Sequence, residues 1–166
     1  MVRLKTSGRQ GPGGGHQEPV GGHQEEVCDD ASMPVAGFDH VAITVADVDA
    51  TIAWYRRVLG AEPLYLDLWR EGKLPIALLQ VGDSRLSVHP AAAPAAPHAD
   101  VPTPGSADLC FRFDGPVTEI LALLETAGVP VVDGPVPRPA SNGEPGASVY
   151  FRDPDGNLLE LLTLEG

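Results

Sequence analysis

One order of elements, a strand, a helix and then three more strands, occurs twice in this chain at a spacing of about 70 residues, and nothing else in the sequence restricts the fold as strongly. In the first copy, Phe38 to Val45 alternates, with Val41, Ile43 and Val45 on one face and His40, Ala42 and Thr44 on the other. A helix follows, capped by Asp47 or Asp49, with Ile52, Tyr55 and Leu59 on one stripe and Gly60 as its stop. Strands are then expected around Glu62 to Leu68, Pro75 to Val81 and Arg85 to His89, with Gly82 and Asp83 forming the last turn. In the second copy, Ala107 to Phe113 alternates, with Asp108, Cys110 and Arg112 opposite the apolar side. Pro116 to Ala127 reads as a helix ending at Gly128, and Val131-Val132, Ala147 to Arg152 and Asn157 to Thr163 read as strands. The expected fold is therefore α+β: two βαβββ modules, at about 37–90 and 106–164, forming a curled mixed sheet around a bowl-shaped site.

Two stretches lie outside the repeat. The connector Pro90 to Gly105 holds five prolines and a run of alanines, which supports neither helix nor strand. Residues 1–36 lack either period, carry glycine clusters and are expected to form a disordered tail before a single domain over 37–166. Within the tail Gly-Gly-His-Gln-Glu occurs at Gly14 to Glu18 and again at Gly21 to Glu25, too sparse in histidine for a chelating tract. The 23 acidic residues against 11 basic ones give a net charge of -12, which repels phosphate backbones and anionic lipid surfaces. Nucleic acid and membrane partners are excluded on that ground, and no apolar run is long enough to span a bilayer. With no basic-then-apolar leader, a cytoplasmic location is expected. Cys28 and Cys110 stand in unlike contexts and read as reduced thiols.

In such a fold the helices cover one side of each sheet, and the other side lines the bowl, where polar residues need a reason. Those residues are His40, then His89 with Ser87 as the rival register, then Asp108 and Glu160. His40 and Asp108 open the first strand of each module, and His89 and Glu160 lie in the last, so a pseudo-twofold axis would bring all four to one centre. Imidazole and carboxylate together suit a divalent Zn, Fe, Mn or Ni ion. Each residue also has an ordinary reading: a hydrogen-bonded structural histidine, a solvated glutamate, or Asp108 capping a backbone amide or pairing with Arg112. Tyr150, Ser87 and Arg112 are candidate substrate contacts, and Tyr65, Trp69 and Ser148 are further residues that could line the bowl.

Three strings carry a family resemblance over about Phe38 to Leu164. They are Asp39-His40-Val41, Trp54-Tyr55-Arg56-Arg57-Val58-Leu59-Gly60 and Phe151-Arg152-Asp153-Pro154-Asp155-Gly156-Asn157-Leu158-Leu159-Glu160-Leu161. Together they resemble the vicinal oxygen chelate superfamily of glyoxalase I, methylmalonyl-CoA epimerase, extradiol dioxygenases and fosfomycin or bleomycin resistance proteins. The resemblance implies a divalent metal held by His40, the region of His89, Asp108 and Glu160, with Glu160 also acting as the base. It further implies a small-molecule substrate and a homodimer. The family commonly has His where this chain has Asp108, and Glu or Gln where it has His89. The string from Ser106 to Phe111 is similar to a glyoxalase-like subgroup that includes virulence-associated bacterial proteins.

The expected activity is that of a glyoxalase-like lyase or isomerase, which abstracts a proton next to a metal-bound carbonyl. Two alternatives remain open: a non-catalytic protein that binds an antibiotic or metabolite, and an Fe(II) ring-cleaving dioxygenase. Deleting residues 1–32 is expected to leave the melting temperature of the remainder unchanged in a calorimetric scan; a drop of several degrees would show that the segment packs on the domain.

Overall fold

The computed structural model describes residues 34–165. Gly37–Gly166 forms one compact unit, and the tail expected over residues 1–36 lies almost wholly outside the described residues. The first module runs β1 (Val41–Val45), α1 (Val48–Leu59), β2 (Glu62–Leu64), α2 (Leu66–Arg70), β3 (Ala77–Val81) and β4 (Ser84–Pro90). The second runs β5 (Asp108–Arg112), α3 (Val117–Thr126), β6 (Val131–Pro139), β7 (Pro145–Arg152) and β8 (Leu158–Thr163). Each makes a four-stranded mixed sheet, in the orders β1-β4-β3-β2 and β5-β8-β7-β6, so the two modules share one topology. The first and last strands of each module pair in parallel, and the other pairs are antiparallel.

Local chemistry accounts for most of the boundaries. The Asp47 side chain accepts from the Ala50 N–H at 3.0 Å and so starts α1. Gly60 ends the helix in the left-handed region at φ 64, a conformation that is strained for residues with a side chain. Ile52, Tyr55 and Val58 form the buried stripe of α1, and Ile120 and Leu124 that of α3.

Two stretches differ from the sequence reading. The expected strand over Glu62 to Leu68 stops at Leu64, because Tyr65 turns the chain at φ 53 and Leu66 to Arg70 become α2. The expected short strand at Val131-Val132 is instead the nine-residue β6, which takes in part of the stretch read as a loop. Pro135, Pro137 and Pro139 fall at alternating positions, so one side of β6 has no donors there. That pattern is tolerable on the outer side of an edge strand, where it also blocks pairing with another chain.

One core joins the two modules. Ile43, Val88 and Leu79 from the first sheet, α1 and α3, and Val149, Phe151 and Leu159 from the second belong to a single buried cluster. Trp54 of α1 lies 6.2 Å from Phe151 between ring centroids, so α1 touches the helix side of both sheets. A polar lock reinforces this contact. The Tyr55 hydroxyl donates to the buried carboxylate of Asp153 at 3.0 Å, and Asp155 accepts from the Ala46 N–H at 2.7 Å. Asp153 also accepts from the N–H groups of Asp155 and Asn157 and from the Asn157 side-chain amide, while Asn157 accepts from the Ala107 N–H. Burial first, and then the Asp153 carboxylate, push the Tyr55 phenol up, so that it stays a neutral donor.

Asp153→Ala strands the Tyr55 hydroxyl and the Asn157 amide in the interior and is expected to cost about 3 kcal/mol or more in a urea melt. Tyr55→Phe should cost about 1 kcal/mol. An Asp153→Ala variant as stable as the parent would contradict the lock.

Candidate functional site

The shared core lies on the helix side of both sheets, which turns the opposite face of each away from it. On the first sheet that face is set by register: Ala42 pairs with Ser87 and Thr44 with His89. His40, just ahead of β1, joins them, and Pro97, His98 and Ala99 of the connector close the side to leave a cavity of about 330 Å³. His89 is only 8% exposed, and its Nδ1 is buried with no hydrogen-bond partner. Burial first, and then the neighbouring His98 and His40, hold its pKa below the ordinary imidazole value. It is therefore a neutral ring at pH 7. His40 bonds through Nδ1 to Asp39 Oδ1 at 2.7 Å, and His98 through Nδ1 to the Ala99 carbonyl at 2.8 Å. The hydrogen bond and charge of His40 draw the Asp39 pKa down, so its carboxylate can only accept.

On the second sheet, Glu160 of β8 stands between Cys110 of β5 and Tyr150 of β7. Its Oε1 accepts from the hydroxyl of Ser148, a fully buried residue one step along β7. Partial desolvation first, and then the Glu160 carboxylate, push the Cys110 thiol up to about 12, with Arg112 opposing. Cys110 is thus a protonated thiol at neutral pH and a weak nucleophile in that state. Arg138 Nε donates to the Tyr150 hydroxyl at 3.2 Å, with its guanidinium 5.9 Å from the ring centroid. Asp108 and Arg112 are exposed on the same face, and among the described residues no ion pair joins them.

The expected site residues therefore fall into two groups. His40, His89 and Ser87 share the first face, and Asp108, Glu160, Tyr150 and Arg112 share the second. Among the described residues no three His, Cys, Asp or Glu side chains gather closely enough to cage an ion. A wider cavity of about 840 Å³, between the end of α1, the β3–β4 turn and β5, holds none of the four expected metal ligands. Trp69 packs against the core and Tyr65 is 66% exposed, so neither joins the histidine pocket.

Two residues escaped the sequence reading. Arg138 lies in the proline-rich stretch taken for a loop, and His98 lies in the aperiodic connector. A signal for His98 existed, because the chain has five histidines and the three beyond the tail all line one cavity.

Comparison with known proteins fits this geometry. The sequence profile of the Glyoxalase/Bleomycin resistance protein/Dioxygenase superfamily matches residues 37–161. The chain belongs to that superfamily. It is 37% identical over 129 residues to virulence protein STM3117 of Salmonella typhimurium, covering 78% of this chain and 85% of that protein. The crystal structure of STM3117 superposes with a TM-score of 0.71 at 36% identity, over 79% of this chain and 98% of that one. The glyoxalase domain-containing protein RDO1 of Mycosarcoma maydis is likewise 37% identical over 129 residues, which is 78% of this chain and 69% of RDO1. A lactoylglutathione lyase from Agrobacterium tumefaciens has a TM-score of 0.58 at 27% identity, over 79% of this chain and 96% of the lyase.

In a Cys28→Ser background, alkylation of Cys110 by iodoacetamide is expected to be slow at neutral pH and to titrate well above the ordinary thiol value of about 8.5. Glu160→Gln removes the neighbouring negative charge and should lower that apparent pKa. Reaction of the parent thiol at the rate of a free cysteine would contradict the placement of Glu160 beside it.

Proposed function

We propose that this superfamily member is a metal-dependent enzyme of glyoxalase-like type, which moves a proton next to a carbonyl group of a small molecule. Its site is built from the first-sheet face of one copy and the second-sheet face of another. The observation that carries the reading is Glu160, a carboxylate on an open sheet face with one oxygen held by a fully buried serine hydroxyl. That bond fixes the side chain's orientation, so its other oxygen can accept the substrate proton at a defined place. Tyr150, steadied by Arg138, and Arg112 are the substrate contacts on the same face.

The donor set fits a divalent ion. His40 has its Nδ1 tied to a carboxylate, the arrangement that commonly orients a metal-bound imidazole, and His89 carries a buried nitrogen with no partner. His40 and His89 would hold the ion, with Asp108 completing the set and Glu160 alternating between ligand and base. When bound, it supplies Lewis acidity toward the substrate oxygens. A second copy is invoked because both polar faces point away from the common core and, among the described residues, no three ligands meet within one chain. The same lack of a ready-made cage among the described residues favours a second reading, a binding protein without turnover.

Elemental analysis of the purified full chain separates the two. Near-stoichiometric Zn, Ni, Mn or Fe is expected in the parent, lost in His40→Ala and in Glu160→Ala with circular dichroism unchanged. Metal content unaltered in both variants overturns the assignment. A parent that is metal-free and refuses metal on reconstitution moves the protein to the binding class.

A further inference from the structure

We propose that His98, brought in by the proline-rich connector, is the third imidazole of one divalent cation site on the first sheet, beside His40 and His89. The inference rests on the assignment of His40 and His89 to a metal, and adds a residue from outside the repeated modules. Three independent details of the cavity support it.

The first is chemical identity. The cavity of about 330 Å³ is lined by Ala42, Thr44, Pro97, Ala99 and three histidines, so its ionisable groups are all imidazoles. Carboxylates would favour Ca²⁺ or Mg²⁺, whereas imidazoles select Zn²⁺, Ni²⁺, Co²⁺ or Fe²⁺.

The second detail is the tautomer at two of the rings. The Asp39 carboxylate and the Ala99 carbonyl oxygen can only accept, so Nδ1 of His40 and Nδ1 of His98 each carry the proton. In its neutral form each ring then has a lone pair on Nε2. An anchored Nδ1–H with a free Nε2 is how most metal-bound histidines are held, with a carboxylate or a backbone carbonyl as the anchor. Here one histidine uses each kind of anchor.

The third detail is the unpartnered nitrogen. His89 is more than nine-tenths buried, and its Nδ1 meets no donor or acceptor. A buried polar nitrogen without a partner is costly, and a cation that reached it would remove that cost. His98 is itself exposed and lies outside every strand and helix, on the connector between β4 and β5, so a shift of its ring toward an ion leaves the core untouched. This accounts for three imidazoles lining one cavity without already standing as a cage.

The chain's composition makes the test direct. In the full chain with His16→Ala and His23→Ala, the only remaining histidines are the three in question. This protein, labelled with ¹⁵N, is titrated with Zn²⁺ while the imidazole nitrogens are followed by long-range ¹H–¹⁵N correlation. One equivalent of Zn²⁺ is expected to move a ring nitrogen of all three histidines to the metal-bound range. His98→Ala in the same background should weaken Zn²⁺ binding at least about tenfold, the loss that even an outer-shell partner causes, with circular dichroism unchanged. If Zn²⁺ moves His40 and His89 but not His98, and His98→Ala binds as tightly as its parent, the role of His98 is overturned while the metal assignment stands. If Zn²⁺ moves no imidazole, the metal assignment and the role of His98 fall together.

Discussion

The carboxylate of Asp153 is the constraint on which the rest of the arrangement depends. Within its own hairpin it accepts from the N–H groups of Asp155 and Asn157 and from the Asn157 amide, which closes the turn between β7 and β8. Across the molecule it accepts from the Tyr55 hydroxyl of α1. A buried carboxylate is costly unless its lone pairs are filled, and here four donors fill them. The string Asp153-Pro154-Asp155-Gly156-Asn157 therefore acts as a structural joint. Asp155 extends it by accepting from the Ala46 N–H at the start of α1, and Asn157 extends it to Ala107 ahead of β5.

That joint determines where chemistry is possible. Because α1 is docked on the helix side of the second sheet, the apolar faces of both sheets are spent on one core, and the polar faces look outward. The two faces are unlike. The first is a small cavity of imidazoles, and the second is a carboxylate flanked by a thiol, a phenol and two guanidinium groups. The proposed ion belongs to the first face and the proposed base to the second, so a site that uses both needs them brought face to face. The elevated pKa of Cys110 keeps the thiol beside Glu160 protonated at neutral pH, which is consistent with the carboxylate as the proposed base.

Most of the fold was legible in the sequence because its signals are local. Alternation in Val41 to Val45, the Asp47 cap, the Gly60 stop and the Gly82-Asp83 turn each depend on neighbours a few residues away. What was not legible depends on distant partners. The strand at Val131 to Pro139 carries three prolines that argue against a strand until the edge position is known, and Leu66 to Arg70 fold as a helix only after the turn at Tyr65. The site divides the same way. Glu160 and His40 stood out as polar residues on an otherwise regular strand pattern. His98 had no such background, and the Asp153 lock was read only as a turn because Tyr55 lies 98 residues away. The sequence repeat also implied a single centre for the four candidate ligands, and the register sets His89 with His40 on the first sheet and Asp108 with Glu160 on the second.

In the proposed site the two faces complete one another across two copies of the chain. The most direct measurement is an anomalous difference map from crystals of the full chain grown with Zn²⁺. A single strong peak per chain is expected, in contact with His40, His89 and His98 of one copy and with Glu160 of the other. A peak bound wholly by residues of one copy and remote from any Glu160, or no peak at either face, would contradict it.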